Sequence, residues 1–327
     1  MRNLSGFLSV CYHYIREDKQ DVFPRILGTT KKDFEEHLRM MKRDFSIINL
    51  AEVKDFFLNK KDQGFKDPGM LITFDDGLSD HYHAAKILSD NDIQGVFFIP
   101  TCIFEEKLPA NPMIIHYTIA EFGVDKFINE FISILEKRGL QINEYEKMFS
   151  GKKDVWNKID DIKEIFKYKL EMRLSREILI EIYNNMFLEK YPDAMSKIHL
   201  TENQVKDMLE MGHAVGTHTH THVSVKSSNL SKDDFFEEII KPKTILEQKF
   251  QINVDSLSYP FGSIRDCLMT KQLIDKTNLY KIAFTVEEIF NSKNTNLLEI
   301  GRYQPSSNEN SLMLKEKLEC IITKNRL

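Results

Sequence analysis

Along the chain, two kinds of segment alternate. Short, nearly uninterrupted apolar runs, Phe7–Tyr12, Ile47–Leu50, Gly69–Phe74 and Gly95–Ile99 with Pro100 as its stop, read as strands buried on both faces. Between them, apolar residues recur at helical spacing. Phe34, Leu38 and Met41 follow an N-cap pattern at Thr30 and Asp33, and Tyr82–Leu88 repeats the period. Strand, helix, strand, helix, strand predicts a parallel α/β sheet or barrel. In such folds reactive groups collect at the C-terminal strand ends.

The rhythm breaks over residues 110–199. Val124, Phe127, Ile128, Phe131, Ile132 and Leu135 mark one amphipathic helix, and Ile159–Leu170 and Ile178–Phe187 predict two more. This stretch reads as a helical insertion, a cap over the site, dividing the barrel into residues 1–109 and 200–327. Beyond it, Thr201-Glu-Asn-Gln204 has capping-box form, and so does Ser231 with Asp234. Pro242 falls inside a periodic region and predicts a kink or break. His213–Thr217, Ser256–Tyr259, Lys281–Val286 and Leu298–Gly301 supply the remaining strands.

Composition narrows this picture. With 327 residues, 42% of them hydrophobic, the chain can build a core without disulfides. A net charge of −5, with no basic stripe interleaved with aromatics, argues against nucleic acid as a partner. Cys11, Cys102, Cys267 and Cys320 are scattered and form no C-x-x-C pair, which excludes a zinc ribbon or a dithiol redox motif. No run approaches the roughly 20 apolar residues of a membrane span, and the N-terminus lacks a secretory pattern. The expectation is a cytoplasmic protein.

Three short segments carry chemistry: Thr73-Phe-Asp-Asp-Gly77, His218-Thr-His-Thr-His222 and Tyr259-Pro-Phe-Gly262. Adjacent carboxylates at a strand end repel, and a divalent cation ligated by one of them removes that cost. Gly77 permits the sharp turn that presents both. Two histidines four apart can face one way on a helical turn and bind the same metal as neutral imidazoles. Alone, Asp-Asp-Gly is compatible with an ordinary turn and the histidines with an ordinary surface. Together, each after a buried strand, they point to a two-His, one-carboxylate centre that suits zinc and also cobalt, nickel or iron.

In this order the motifs resemble those of the NodB-homology polysaccharide deacetylases, carbohydrate esterase family 4. The opening Cys11-Tyr-His13 also resembles the poly-N-acetylglucosamine deacetylase subgroup. The likeness spans about residues 7–105 and 200–303 and implies a distorted or incomplete (β/α) barrel. It implies Asp76, His218 and His222 as metal ligands, Asp75 as general base, and Phe261 with Tyr259 at the substrate and its oxyanion. The implied reaction removes an N-acetyl group from an amino sugar. Combined with the expected cytoplasmic location, it points to a nucleotide- or lipid-linked amino-sugar precursor made for a surface polysaccharide as the expected substrate.

Two positions depart from the family pattern. Ser258 stands where the third motif normally begins with an arginine, and no histidine follows His222 to act as the usual late general acid. Arg302 is a candidate for the first role, with a surface salt bridge as its alternative, and His13 for the second. His220 should point away from the metal, His81 and His83 should be solvent-exposed, Trp156 should be core, and His116, by its position in the insertion, is a candidate to reach substrate. Competing functions are hydrolysis of another non-peptide C–N bond and a catalytically inactive carbohydrate-binding protein.

Overall fold

The computed structural model describes residues 5–16, 21–58, 65, 67–151, 154–225 and 230–324. Eight strands form one sheet: β1 Gly6–Tyr12, β2 Ser46–Ile47, β3 Gly69–Phe74, β4 Gly95–Ile99, β5 Ala214–Thr217, β6 Ser256–Ser258, β7 Ile282–Phe284 and β8 Asn291–Ser292. The order is β8-β1-β3-β4-β5-β6-β7, with β2 also on β3; all pairings are parallel except that of β8 with β1. The curled sheet is a distorted (β/α) barrel.

The predicted strand at Leu298–Gly301 is a correction. Only single parallel bridges form there, Phe284 with Ile300 and Val10 with Tyr303. Yet these bridges bring the segment 300–303 between β7 and β1, the two ends of the parallel run, and so narrow the gap in the barrel. Likewise, the run Ile47–Leu50 ends as a strand at Ile47, and Leu50–Leu58 is a helix. Asn49 starts it, its side chain accepting from Glu52 N at 2.9 Å while Glu52 accepts from Asn49 N at 2.8 Å.

Strand periodicity sorts the barrel interior by height. Successive side chains alternate faces, so Phe7, Ser9 and Cys11 of β1 share a face, as do Leu71, Thr73 and Asp75 at β3. At the lower end Phe7, Leu71, Val96, Phe98, Ile282 and Phe284 join the helix Leu50–Leu58 in one apolar cluster. Above it the inward positions turn polar: Thr73, Asp75, Ser258 and Arg302 are all buried. The other strand face packs on the helices in a second, larger cluster.

Between Ile99 and Ala214 the regular elements of the described chain are all helices apart from one bridge, His199 with Leu78. The predicted helices are Val124–Lys137, Val155–Glu164 extended by a π-turn Ile165–Lys169, and Met172–Ile182 extended by another at Tyr183–Leu188. Asn111–Phe122 is a further helix that periodicity does not single out, because it is apolar on nearly every side. Phe127, Ile162, Leu179 and Phe187 belong to the same cluster as the strands' outer face, so these helices share the barrel's core. No helix of the described residues is long and apolar enough to cross a membrane.

Pro242 does not break the helical run at its position. The residues from Lys232 to Phe250 stay helical, with the winding widened to π over Phe236–Ile240. Proline cannot donate to the carbonyl four residues back, which is that of Glu238, and its ring crowds it; the wider turn relieves both.

Candidate metal centre and active site

Asp75 and Asp76 follow β3 directly. In an extended chain they would point to opposite faces. Asp76 instead adopts φ 81° and Gly77 φ 59°, and this left-handed turn brings the second carboxylate to the top of the barrel beside the first. At Gly77 a side chain would also stand 2.9 Å from Ile99 Cγ2. The turn thus leaves room only for glycine there.

The histidines meet by a different route from the helical turn expected of their spacing. After β5 the chain runs as a loop in which Thr219 (φ 61°) and His222 (φ 63°) are both left-handed. Such a backbone persists only if the surroundings fix it. Glu238, buried on the π-turn, accepts from His220 N at 3.0 Å, Thr221 N at 2.9 Å and Thr221 Oγ1 at 2.8 Å. Thr219 Oγ1 accepts from His222 N at 3.1 Å. His220 points away from the aspartates, toward Thr101 Oγ1 at 2.8 Å and Glu106 Oε1 at 3.1 Å.

Asp76 Oδ1 is buried and makes no hydrogen bond among the described residues, although His222 Nε2 and His218 Nε2 stand 3.1 and 3.4 Å from it. His218 Nδ1 donates to Ser258 O at 2.8 Å, which leaves the Nε2 lone pair facing Asp76. One ligand atom from each of Asp76, His218 and His222 lies within 4.8 Å of the others. Two imidazole nitrogens beside an unanswered buried oxygen make a three-donor set that a divalent cation fits.

Asp75 belongs to a different network. Arg302 is fully buried, so the surface salt bridge considered for it is ruled out. Its Nη1 donates to Asp75 Oδ1 at 2.8 Å and Thr73 Oγ1 at 3.1 Å, and its Nη2 to Asp75 Oδ2 at 2.7 Å and Ser258 Oγ at 2.8 Å. Nε donates to Thr285 O at 2.9 Å, so all five N–H groups of the fork are used. Phe98 and Phe284 flank the guanidinium, each 5.7 Å away. Ser258 Oγ in turn donates to Asp75 Oδ2 at 2.9 Å. Burial alone would raise the Asp75 pKa, but Arg302 outweighs it and holds the carboxyl well below the usual carboxylate range.

Sequence reasoning treated Ser258 only as a lost arginine. Here its small side chain both bonds Asp75 and accepts from the guanidinium that arrives from the segment 300–303. The signal available was the paired departure itself, an arginine missing from one strand end and a spare one on another.

His13 sits across the cleft. Its Nε2 is 4.0 Å from Asp76 Oδ2, and Nδ1 faces Gln304 Nε2 at 3.3 Å. His81 corrects its expected exposure: it is fully buried beneath His13, with Nε2 2.8 Å from the His13 carbonyl, and burial pushes its pKa down to about 4. His83 is exposed. Phe261 is left-handed (φ 61°), its ring edge-on to His222 at 4.9 Å, and its backbone N–H makes no hydrogen bond among the described residues. Tyr259 is fully buried in the cleft wall, its hydroxyl unpartnered among the described residues. Trp156 is not core; it is 67% exposed.

A cleft of about 830 Å³ joins these groups. Barrel residues line its floor, and the insertion supplies the opposite wall, including His116, which is hydrogen-bonded to Tyr14 Oη at 3.0 Å.

The polysaccharide deacetylase family model matches residues 183–279, a segment holding both histidines and the Tyr259-Pro-Phe-Gly262 turn. The Streptococcus pyogenes deacetylase PplD in complex with acetate is similar in structure at 17% identity, with 96% of this chain and 98% of that one covered and a TM-score of 0.58. The fold is that of the polysaccharide deacetylases. IcaB from Ammonifex degensii is similar at 14% identity, 96% and 97% coverage and a TM-score of 0.54. A de-N-acetylase from Aggregatibacter actinomycetemcomitans matches at 13% identity, 95% and 99% coverage and a TM-score of 0.53. Among curated protein sequences there is no significant match.

Proposed function

We propose that this protein is a metal-dependent hydrolase that removes the N-acetyl group of an amino sugar, acting in the synthesis of a surface polysaccharide. The observation that carries the reading is the division of two adjacent aspartates into different roles. Asp76 faces two imidazole nitrogens with an unanswered oxygen, and Asp75 is locked as a carboxylate by Arg302. The similarity to polysaccharide deacetylases supports the same reaction class.

Asp76, His218 and His222 would hold the ion, with zinc, cobalt, nickel and iron all compatible with the donors. When bound, such an ion polarises the acyl carbonyl and lowers the pKa of water. Asp75 is the general base. Arg302 and Ser258 fix its carboxylate plane, and the low pKa keeps it ionised and able to accept a proton from attacking water. The free Phe261 N–H is the donor for the oxyanion of the tetrahedral intermediate. His13 is the acid for the leaving amine. Its Nδ1 accepts from the Gln304 amide, so the mobile proton sits on Nε2, on the side of Asp76 and the cleft.

The test is metal analysis of the purified protein combined with acetate release from a panel of N-acetylated sugars. Asp75→Asn should abolish release while retaining the metal, and His13→Ala should slow it. Purified protein that holds no divalent ion even after reconstitution would overturn the proposal.

A further inference from the structure

Cys11 is a floor side chain that the proposed reaction leaves unused. Its place follows from register. β1 and β3 run parallel with Cys11 opposite Thr73, and Asp75 N donating to Tyr12 O at 3.0 Å continues the ladder past the strand ends. Side chains alternate along a strand, so Cys11 and His13 fall on one face, and Asp75 lies beside them on the neighbouring strand's line. Thiol, imidazole and carboxylate thereby converge: one donor atom of each lies within 4.8 Å of the other two. Among the described residues this three-donor group stands beside that of Asp76, His218 and His222, and it alone of the two contains a cysteine.

Each of the three has a donor to give. Cys11 is fully buried, and its Sγ reaches Tyr12 O at 4.0 Å, a long contact even for sulfur. Asp75 accepts from Arg302 through both oxygens and from Ser258 through Oδ2, which leaves Oδ1 with a lone pair. The Gln304 amide beside His13 Nδ1 offers its nitrogen or, turned over, its oxygen, so the imidazole keeps a lone pair for an ion in either tautomer. His13, with 24% of its side chain exposed, opens the group to the cleft. Charge ranks this group below its neighbour. Arg302 already offsets Asp75, whereas the Asp76 carboxylate meets only histidines among the described residues.

We propose that Cys11, His13 and Asp75 form a second metal site, weaker than the Asp76 centre, for a thiophilic divalent ion such as zinc or cobalt, and that filling it switches the enzyme off. Thiolate, imidazole and carboxylate together favour such ions over magnesium or calcium. The thiol releases its proton to solvent as the ion binds, and the ion sheds water in exchange. Adjacent ions about 3.5–4 Å apart are stable in two-metal sites, so the first ion does not bar the second. An ion held here engages both groups assigned to proton transfer. Asp75 then cannot accept a proton from water, and His13 cannot give one to the leaving amine. The inhibitory half of the inference rests on the deacetylase reading; the binding half does not.

Cobalt(II) reads the two sites apart, because only the second contains sulfur. Titrated into the metal-free protein, the first equivalent should give the weak visible bands of nitrogen and oxygen ligation. The second should add a strong thiolate-to-cobalt charge-transfer band in the near ultraviolet. Cys11→Ser should lose that band and keep the first equivalent, whereas Cys320→Ser, which removes the exposed cysteine, should keep both. With zinc, acetate release should fall at least tenfold as the second ion binds, and Cys11→Ser should need at least tenfold more zinc for the same loss. Absence of a thiolate band in wild type would overturn the site, whether or not the Cys11 variant folds. So would a band that survives Cys11→Ser, because another cysteine would then hold the ion. Acetate release that is undiminished while the band is present would overturn the switch. Absence of release from every sugar, with one equivalent of zinc or with excess, would sink the deacetylase reading and leave the cobalt assignment standing.

Discussion

Under the cleft Arg302 has every N–H paired within the protein, whereas above it Lys163 has no acidic partner among the described residues. The difference follows from solvent. A fully buried guanidinium without partners would cost several kcal/mol, so the floor can keep its charges only as a closed network. An ammonium at the exposed roof is solvated and needs no such network. The floor is therefore built for fixed geometry, whereas the roof can carry a solvated charge. Substitutions on either side of the cleft test that contrast.

The largest effect should come from breaking the floor. Arg302→Met removes one partner of a buried pair and leaves Asp75 uncompensated, for an expected loss of about 3–5 kcal/mol. Urea denaturation of the metal-free protein measures it. A loss below about 1 kcal/mol would mean that Asp75 finds other partners, and that the network is not what organises the strand ends.

Next in size is the metal. If Asp76, His218 and His222 hold an ion only in the folded state, zinc at a hundredfold excess over its Kd should stabilise the protein by about 2.7 kcal/mol. Chelation should reverse this, and Asp76→Ala should abolish it. Scanning calorimetry with and without zinc reads both. An undiminished zinc response in Asp76→Ala would place the ion elsewhere.

A smaller, pH-dependent effect belongs to the wall joining floor and roof. Glu106 accepts from Arg176 Nη2 at 2.6 Å and lies 3.1 Å from His220. Burial works against its ionisation, but the bond to His220 and the Arg176 charge prevail and lower its pKa from 4.5 to about 2. A carboxyl depressed in the folded state stabilises fully above its unfolded value and loses that contribution as pH falls through the folded one. Wild type should thus lose stability between about pH 4.5 and 2 more steeply than Glu106→Gln. Parallel denaturation midpoints across that window would contradict the linkage.

The parts of this molecule that were legible in sequence are those written in local pattern. β3 and β4 follow from continuous apolar runs, and the caps at Thr30, Thr201 and Ser231 form as their side chains dictate. Asp76, His218 and His222 could be nominated because their motifs are short. Their geometry could not, since it depends on left-handed backbone at Asp76, Thr219 and His222, and on Glu238, which reaches the loop from a π-turn. Arg302 was a guess for the same reason: its place between β7 and β1 rests on two isolated bridges with no strand pattern behind them. Lys163 left no trace in the sequence because a lone lysine on an amphipathic helix looks solvated whether or not it faces a cleft.

The smallest effect is the one that most sharpens the contrast. Lys163→Gln removes an exposed charge with no acidic partner and no buried contact to lose, so it should change unfolding free energy by no more than about 0.5 kcal/mol. The single tryptophan, Trp156, lies on the helix Val155–Glu164 that also carries Lys163, and it is solvent-exposed. Its fluorescence therefore follows this helix without contribution from the floor. Followed by that signal, urea unfolding of wild type and of Lys163→Gln should give closely matching midpoints. A variant destabilised by more than about 1 kcal/mol would show that Lys163 is part of the roof's structure. The division between a floor held by a closed network and a roof held without one would then fail at Lys163.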